Sequence, residues 1–104
     1  MDLFLVTYRP ASALMLVDGP TEEEKRRVGE HFQYLTRLHE NGVLAMAGRT
    51  QDDGPDTVVI ALVRADGPVA AQALLAADPA VANGVFVGMV QPFAFAIGGW
   101  PEPQ

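Results

Sequence analysis

The period of the apolar positions changes along the chain, and each change marks an element. Phe4 to Tyr8 is β-branched and aromatic and predicts a strand. Arg9-Pro10 ends it, because proline offers no N–H to a ladder. Thr21, followed three residues later by Glu24, predicts the capping box of a helix. Glu22 and Glu23 suit the positive end of its dipole. Turned at about 100° per residue from Val28, Phe32 falls near +40°, Leu35 near −20° and Leu38 near −80°, roughly one apolar stripe. Lys25, Arg26, Arg27, Glu30, Arg37 and Glu40 lie mostly on the other side. Asn41-Gly42 supplies a left-handed stop.

Val43 to Gly48 and Asp56 to Arg64 then predict two strands joined by the turn Gln51-Asp52-Asp53-Gly54-Pro55. The unbroken apolar run Val58 to Val63 predicts a strand covered on both faces. Asp66-Gly67-Pro68 opens a second helix over Val69 to Ala77, Asp78-Pro79 breaks it, and Ala80 to Gly84 has room for one more turn. Val85 to Gly98 predicts a long last strand, with Pro92 at a bulge or an edge. The connection 11–20 carries an apolar middle, Ala13 to Val17, suited to a lid or a short extra strand.

The order βαββαβ predicts an α+β fold: a four-stranded antiparallel sheet with two helices on one face. It occupies a single domain over residues 1–98, followed by a proline-rich tail over 99–104. The strands carry apolar residues at both parities: Phe4 and Val6 against Leu3 and Leu5, Phe86 and Val90 against Val87, Met89 and Phe93. A bare second face would exceed the apolar patch of a few hundred Å2 that monomers tolerate. A second copy laid sheet to sheet is expected, making a homodimer.

Length and composition narrow the chemistry. With 104 residues there is one core. Seven basic against thirteen acidic residues leave a net charge of −6, which argues against nucleic acid as a partner. Zero cysteines exclude disulfides, thiolate catalysis and iron–sulfur ligation. The N-terminus has no basic leader, and the most apolar stretch, Val85 to Ile97, is broken by Gly88, Gln91 and Pro92. That stretch is shorter than the roughly 20 residues of a spanning helix. A cytoplasmic chain without a membrane partner is expected. Dinucleotide, phosphate-loop, nucleophile-elbow and zinc-helix motifs are absent from the sequence, so neither cofactor nor metal is expected.

Two histidines remain inside the helix stripe, His31 at about −60° and His39 at about +20° from Val28. Each fits either a proton-transfer role, since imidazole titrates near neutrality, or a half-buried ring satisfied by main chain. His39 also sits where the helix dipole favours a cation. Asp78 follows the second helix, where the dipole disfavours a carboxylate. An imidazole partner would explain it, and so would a role as cap of the next turn, with Pro79 at its first position. Arg9 and Arg49 each follow a strand and suit an anionic substrate or a surface acid. Tyr8 and Tyr34 suit a ligand hydroxyl or simple packing.

Taken in order, these residues resemble the YCII-related family. The resemblance rests on His31 with Leu38-His39, on Gly42 to Gly48, on Ala77-Asp78-Pro79, on Gly84-Val85 and on Pro92-Phe93, and it spans Phe4 to about Phe95. It implies a ferredoxin-like protomer, a dimeric α+β barrel and a His–Asp pair carried over to His31 and Asp78. Asp78 would hold the imidazole while His31 moves a proton, as in a cofactor-independent lyase or hydrolase acting on an unknown small molecule. The one well-understood activity of the family is a dehydrochlorinase acting on a chlorinated hydroxyhydroquinone. A dimeric module that binds a small ligand without turning it over is the alternative. Arg49 stands where many members have proline, and the 11–20 connection is long. Tyr8, Arg9, Tyr34 and Arg49 are the expected substrate-binding set.

Overall fold

A computed structural model of the protein describes residues 1–12, 18–52 and 56–101. Four strands form one sheet: β1 (Asp2–Pro10), β2 (Leu44–Arg49), β3 (Val59–Ala65) and β4 (Phe86–Phe93). Three helices accompany them: α1 (Glu22–Glu40), α2 (Pro68–Ala76) and the single turn α3 (Pro79–Ala82). The spatial order is β2-β3-β1-β4 and every pairing is antiparallel, which is the ferredoxin-like arrangement of βαββαβ. The apolar middle of the 11–20 connection, the centre of the 51–55 turn and the end of the tail lie outside the described residues. Among the described residues no helix is long and apolar enough to cross a membrane.

The helix signals act where they stand. Thr21 Oγ1 accepts the Glu24 N–H while Glu24 accepts the Thr21 N–H, completing the capping box of α1. Gly42, at φ +76°, makes the left-handed exit into β2, and a Cβ there would crowd Arg64. Pro79 cannot continue α2 and pushes Asp78 to extended backbone, so one helix stops and a second starts with Asp78 as its cap.

The core lies between the helices and one face of the sheet: Phe4, Val6, Tyr8, Ala61, Val63 and Ala65 from the strands, with Leu35, Ala71, Leu75 and Ala80 from the helices. Burying residues such as Phe4, Val6 and Leu75 gives about 1.5–3 kcal/mol each, the main stabilising contribution of this layer. The other face carries Leu3, Leu5, Ile60 and Leu62, with Met46, Val87, Met89 and Phe93 each 37% exposed or more.

Three expectations need correction. The last strand ends at Phe93 instead of running to Gly98. Pro92 pairs opposite Phe4 on the edge strand, where one side of the backbone needs no ladder partner. The third strand starts at Val59, later than Asp56. Phe32 is 56% exposed, because the buried face of α1 centres on His31 and Leu35 and leaves Phe32 on its rim.

Candidate active site

His31 sits mid-way along α1 and Asp78 caps α3, and the fold brings them together. The His31 Nδ1–H donates to Asp78 Oδ2 at 2.5 Å, and both residues are 0% exposed. The second carboxylate oxygen, Oδ1, accepts the Ala80 N–H at 2.9 Å. Asp78 is therefore both cap and imidazole partner, so the two explanations of its awkward position hold together. Donation from Nδ1 makes Nε2 the basic nitrogen of the neutral ring. Nε2 is buried and has no hydrogen-bond partner among the described residues.

Aromatic rings enclose the imidazole. Tyr8 lies 4.9 Å away edge-on, with Phe86 and Phe32 each at 5.2 Å. Tyr8 and Phe86 belong to the core, so Phe32 is the one ring of the three that also meets solvent. Burial pushes the Tyr8 phenol well above its usual range, and the Asp78 charge adds to the effect. Tyr34 is raised for the same two reasons, burial first. Its hydroxyl donates to the Leu74 carbonyl at 2.7 Å, tying α1 to α2.

The remaining candidates separate. Arg9 lies on the open face of the sheet, beside a shallow hollow with Thr7, Val87 and Met89, across the sheet from the His–Asp pair. Arg49 lines a hollow of about 370 Å3 between α1 and β2, together with Phe32, Leu35, Thr36, His39 and Val59. Neither His31 nor Asp78 lines it; Phe32 lines it and packs against the His31 ring. His39 donates from Nδ1 to the Leu44 carbonyl at 2.9 Å, the main-chain role open to it from the sequence. The residue that sequence reasoning misplaced is Phe32: its step of about 40° from Val28 marks the rim of a stripe as well as its centre. No group of three His, Asp or Glu residues suited to a metal occurs among the described residues.

A ferredoxin-like α+β sheet whose helix layer encloses an imidazole–carboxylate pair is the class of protein defined by this fold and site. The YCII-related domain model matches residues 3–94, and the chain belongs to that family. Among solved structures it is similar to the 5-chloro-2-hydroxyhydroquinone dehydrochlorinase TftG of Burkholderia phenoliruptrix AC1100, in complex with 2,5-dihydroxybenzoquinone. That match has a TM-score of 0.57 and 17% identity, and covers 88% of this chain and 93% of the other. At that identity the likeness speaks for the fold. No curated protein matches the sequence.

Proposed function

We propose that the chain is an acid–base enzyme in which His31 moves a proton at Nε2 while Asp78 fixes the tautomer and balances the charge that forms. The observation that carries the reading is the unequal treatment of the two ring nitrogens. Nδ1 is held by a buried carboxylate, and Nε2 is buried with no hydrogen-bond partner among the described residues. An unsatisfied buried polar atom costs about 1–3 kcal/mol, so a fold retains one where chemistry uses it. Positioned proton transfer contributes roughly 10²–10⁴-fold, enough for elimination from a small activated molecule. In such a step the base takes the substrate proton, the freed pair forms a new π bond, and the leaving group departs with its own bonding pair. Loss of hydrogen chloride from a chlorinated hydroxyhydroquinone balances without an oxidant when the chlorine-bearing carbon first takes a proton as one hydroxyl becomes a carbonyl. The base then removes the proton of a second hydroxyl, which becomes the other carbonyl as the ring double bond shifts towards that carbon and chloride leaves. The TftG likeness makes that compound the first one to assay.

A second copy covering the open sheet face completes the reading. Met46, Val87, Met89 and Phe93, with the half-buried Leu3, Leu5 and Ile60, form an apolar surface that water does not favour, and sheet-to-sheet pairing would bury it.

One observation favours a different reading. His31 and Asp78 are both 0% exposed, which suits a non-catalytic clamp between α1 and α3 in a ligand-binding or interaction module. Under the enzyme reading, movement of the half-exposed Phe32 ring opens Nε2 to substrate. Chloride release from 5-chloro-2-hydroxyhydroquinone, and from a panel of activated ring compounds, decides between them. The enzyme reading expects turnover that falls at least a hundredfold in His31→Gln; turnover that His31→Gln leaves unchanged overturns it.

A further inference from the structure

A β-bulge aims Arg49 into the hollow beside the His–Asp pair. Leu44 pairs with Val63 but Met46 pairs with Leu62, so β2 spends two residues where β3 spends one. Without that extra residue, Leu44, Met46 and Gly48 would share the helix side and Arg49 would face the opposite way. With it, Ala47 stands opposite Ala61 and Arg49 opposite Val59, both on the helix side. The register shift therefore takes a cation off the open face and sets it at an apolar cavity.

The cavity suits a small ligand. Its volume of about 370 Å3 lies within the range of small-molecule sites, and Phe32, Leu35 and Val59 make its walls apolar. Arg49 is the one arginine or lysine that lines it among the described residues, and several other cations are occupied elsewhere. Arg26 and Arg27 pair with Glu23 and Glu30, and Arg64 donates to the Gly42 carbonyl and lies over the Trp100 ring. Arg49 has no hydrogen-bond or ion-pair partner among the described residues. An unpaired guanidinium over apolar walls, in a chain of net charge −6, is a place for an anion carried by a ring. The hollow lies on the helix side, so a second copy on the other face of the sheet leaves it accessible.

We propose that this hollow binds a small aromatic carboxylate, its ring against Phe32, Leu35 and Val59 and its carboxylate on Arg49. That such a ligand is the substrate delivered to His31 rests on the proton-transfer reading; that the hollow binds it does not. Phe32 forms a wall of the hollow and packs against the His31 ring, so a ligand that displaces it arrives beside that imidazole.

Titration of the full chain with 1-naphthoate, followed by amide ¹H–¹⁵N shifts, tests the proposal. 1-Naphthalenemethanol serves as the uncharged analogue and Arg26→Gln as the charge control. Shifts centred on Thr36, His39 and Arg49 are expected. Affinity should fall about tenfold or more in Arg49→Gln, hold in Arg26→Gln, and be about tenfold weaker for the alcohol. Equal binding of acid and alcohol, binding indifferent to Arg49→Gln, or an absence of shifts in these residues at millimolar naphthoate overturns it. Binding that survives while turnover proves indifferent to His31→Gln leaves this site standing and removes the dyad chemistry alone.

Discussion

Removing the Asp78 carboxylate separates its structural contribution from its chemical one. In Asp78→Ala two buried N–H groups lose their acceptor, the His31 Nδ1–H, donated at 2.5 Å, and the Ala80 N–H, donated at 2.9 Å, and the buried Tyr8 phenol loses the carboxylate beside it. Loss of a cap costs about 1 kcal/mol. Stranding a buried imidazole N–H costs about 1–3 kcal/mol more. The expected destabilisation is roughly 2–4 kcal/mol, a large share of the 5–15 kcal/mol typical of a domain. For a chain of this size it lowers Tm by roughly 10–20 °C. Asp78→Asn behaves differently. Its amide oxygen can still accept from Ala80, which turns the amide NH2 towards Nδ1 and moves the imidazole proton to Nε2. That variant should lose only about 1 kcal/mol and keep its fold while inverting the tautomer. Thermal and urea denaturation by circular dichroism give the energies, and imidazole ¹⁵N shifts report the tautomer. An Asp78→Ala variant within 0.5 kcal/mol of wild type, a figure of about the size of an ordinary surface change, would refute the reasoning. So would an Asp78→Asn variant that keeps its proton on Nδ1.

Three further outcomes follow from the packing. A Cβ at Gly88 would lie 2.5 Å from Leu75 Cδ1 and 3.1 Å from its Cδ2, so Gly88→Ala should cost about 1–3 kcal/mol in urea unfolding; an unchanged midpoint would show that Leu75 has space to move. Both tyrosines are raised by burial, so absorbance near 295 nm should show no phenolate step at pH about 10 in the folded protein. Because the unfolded phenols lose their protons there and the folded ones do not, this contribution to stability is full below about pH 10. It is lost as pH rises through the folded values, and Tyr8→Phe should flatten the fall; a reversible native titration at pH about 10 contradicts the burial. Sedimentation should give a dimer that Met89→Asp dissociates, and a wild-type monomer at micromolar concentration would remove the partner from the open face.

Much of the fold was legible because its signals are local. Thr21 and Glu24 meet within one turn, Gly42 needs only its own φ, and Asp78-Pro79 breaks one helix and opens the next without help from elsewhere. The His31–Asp78 contact spans 47 positions and came from the family resemblance, since helical periodicity placed His31 and His39 on the same stripe without ranking them. Other features were hidden because they depend on packing between elements. The bulge at β2 is set by pairing with β3, and nothing in Leu-Ala-Met-Ala-Gly-Arg announces it, yet it decides which way Arg49 faces. Arg9 and Arg49 look alike as residues that close strands, but the fold sets them on opposite faces of the sheet. The early end of β4 at Phe93 is likewise a matter of pairing, since its ladder with β1 stops at Leu3 opposite Phe93.

The central claim is that the buried carboxylate serves a reaction as well as a fold, and the turnover of Asp78→Asn tests it most directly. Measured on a substrate that the wild-type chain converts, with the variant shown to be folded, the rate should fall at least a hundredfold, because the proton now occupies the nitrogen that must accept one. A folded Asp78→Asn protein that turns over at the wild-type rate would contradict the claim and leave His31 and Asp78 as a clamp between two helices.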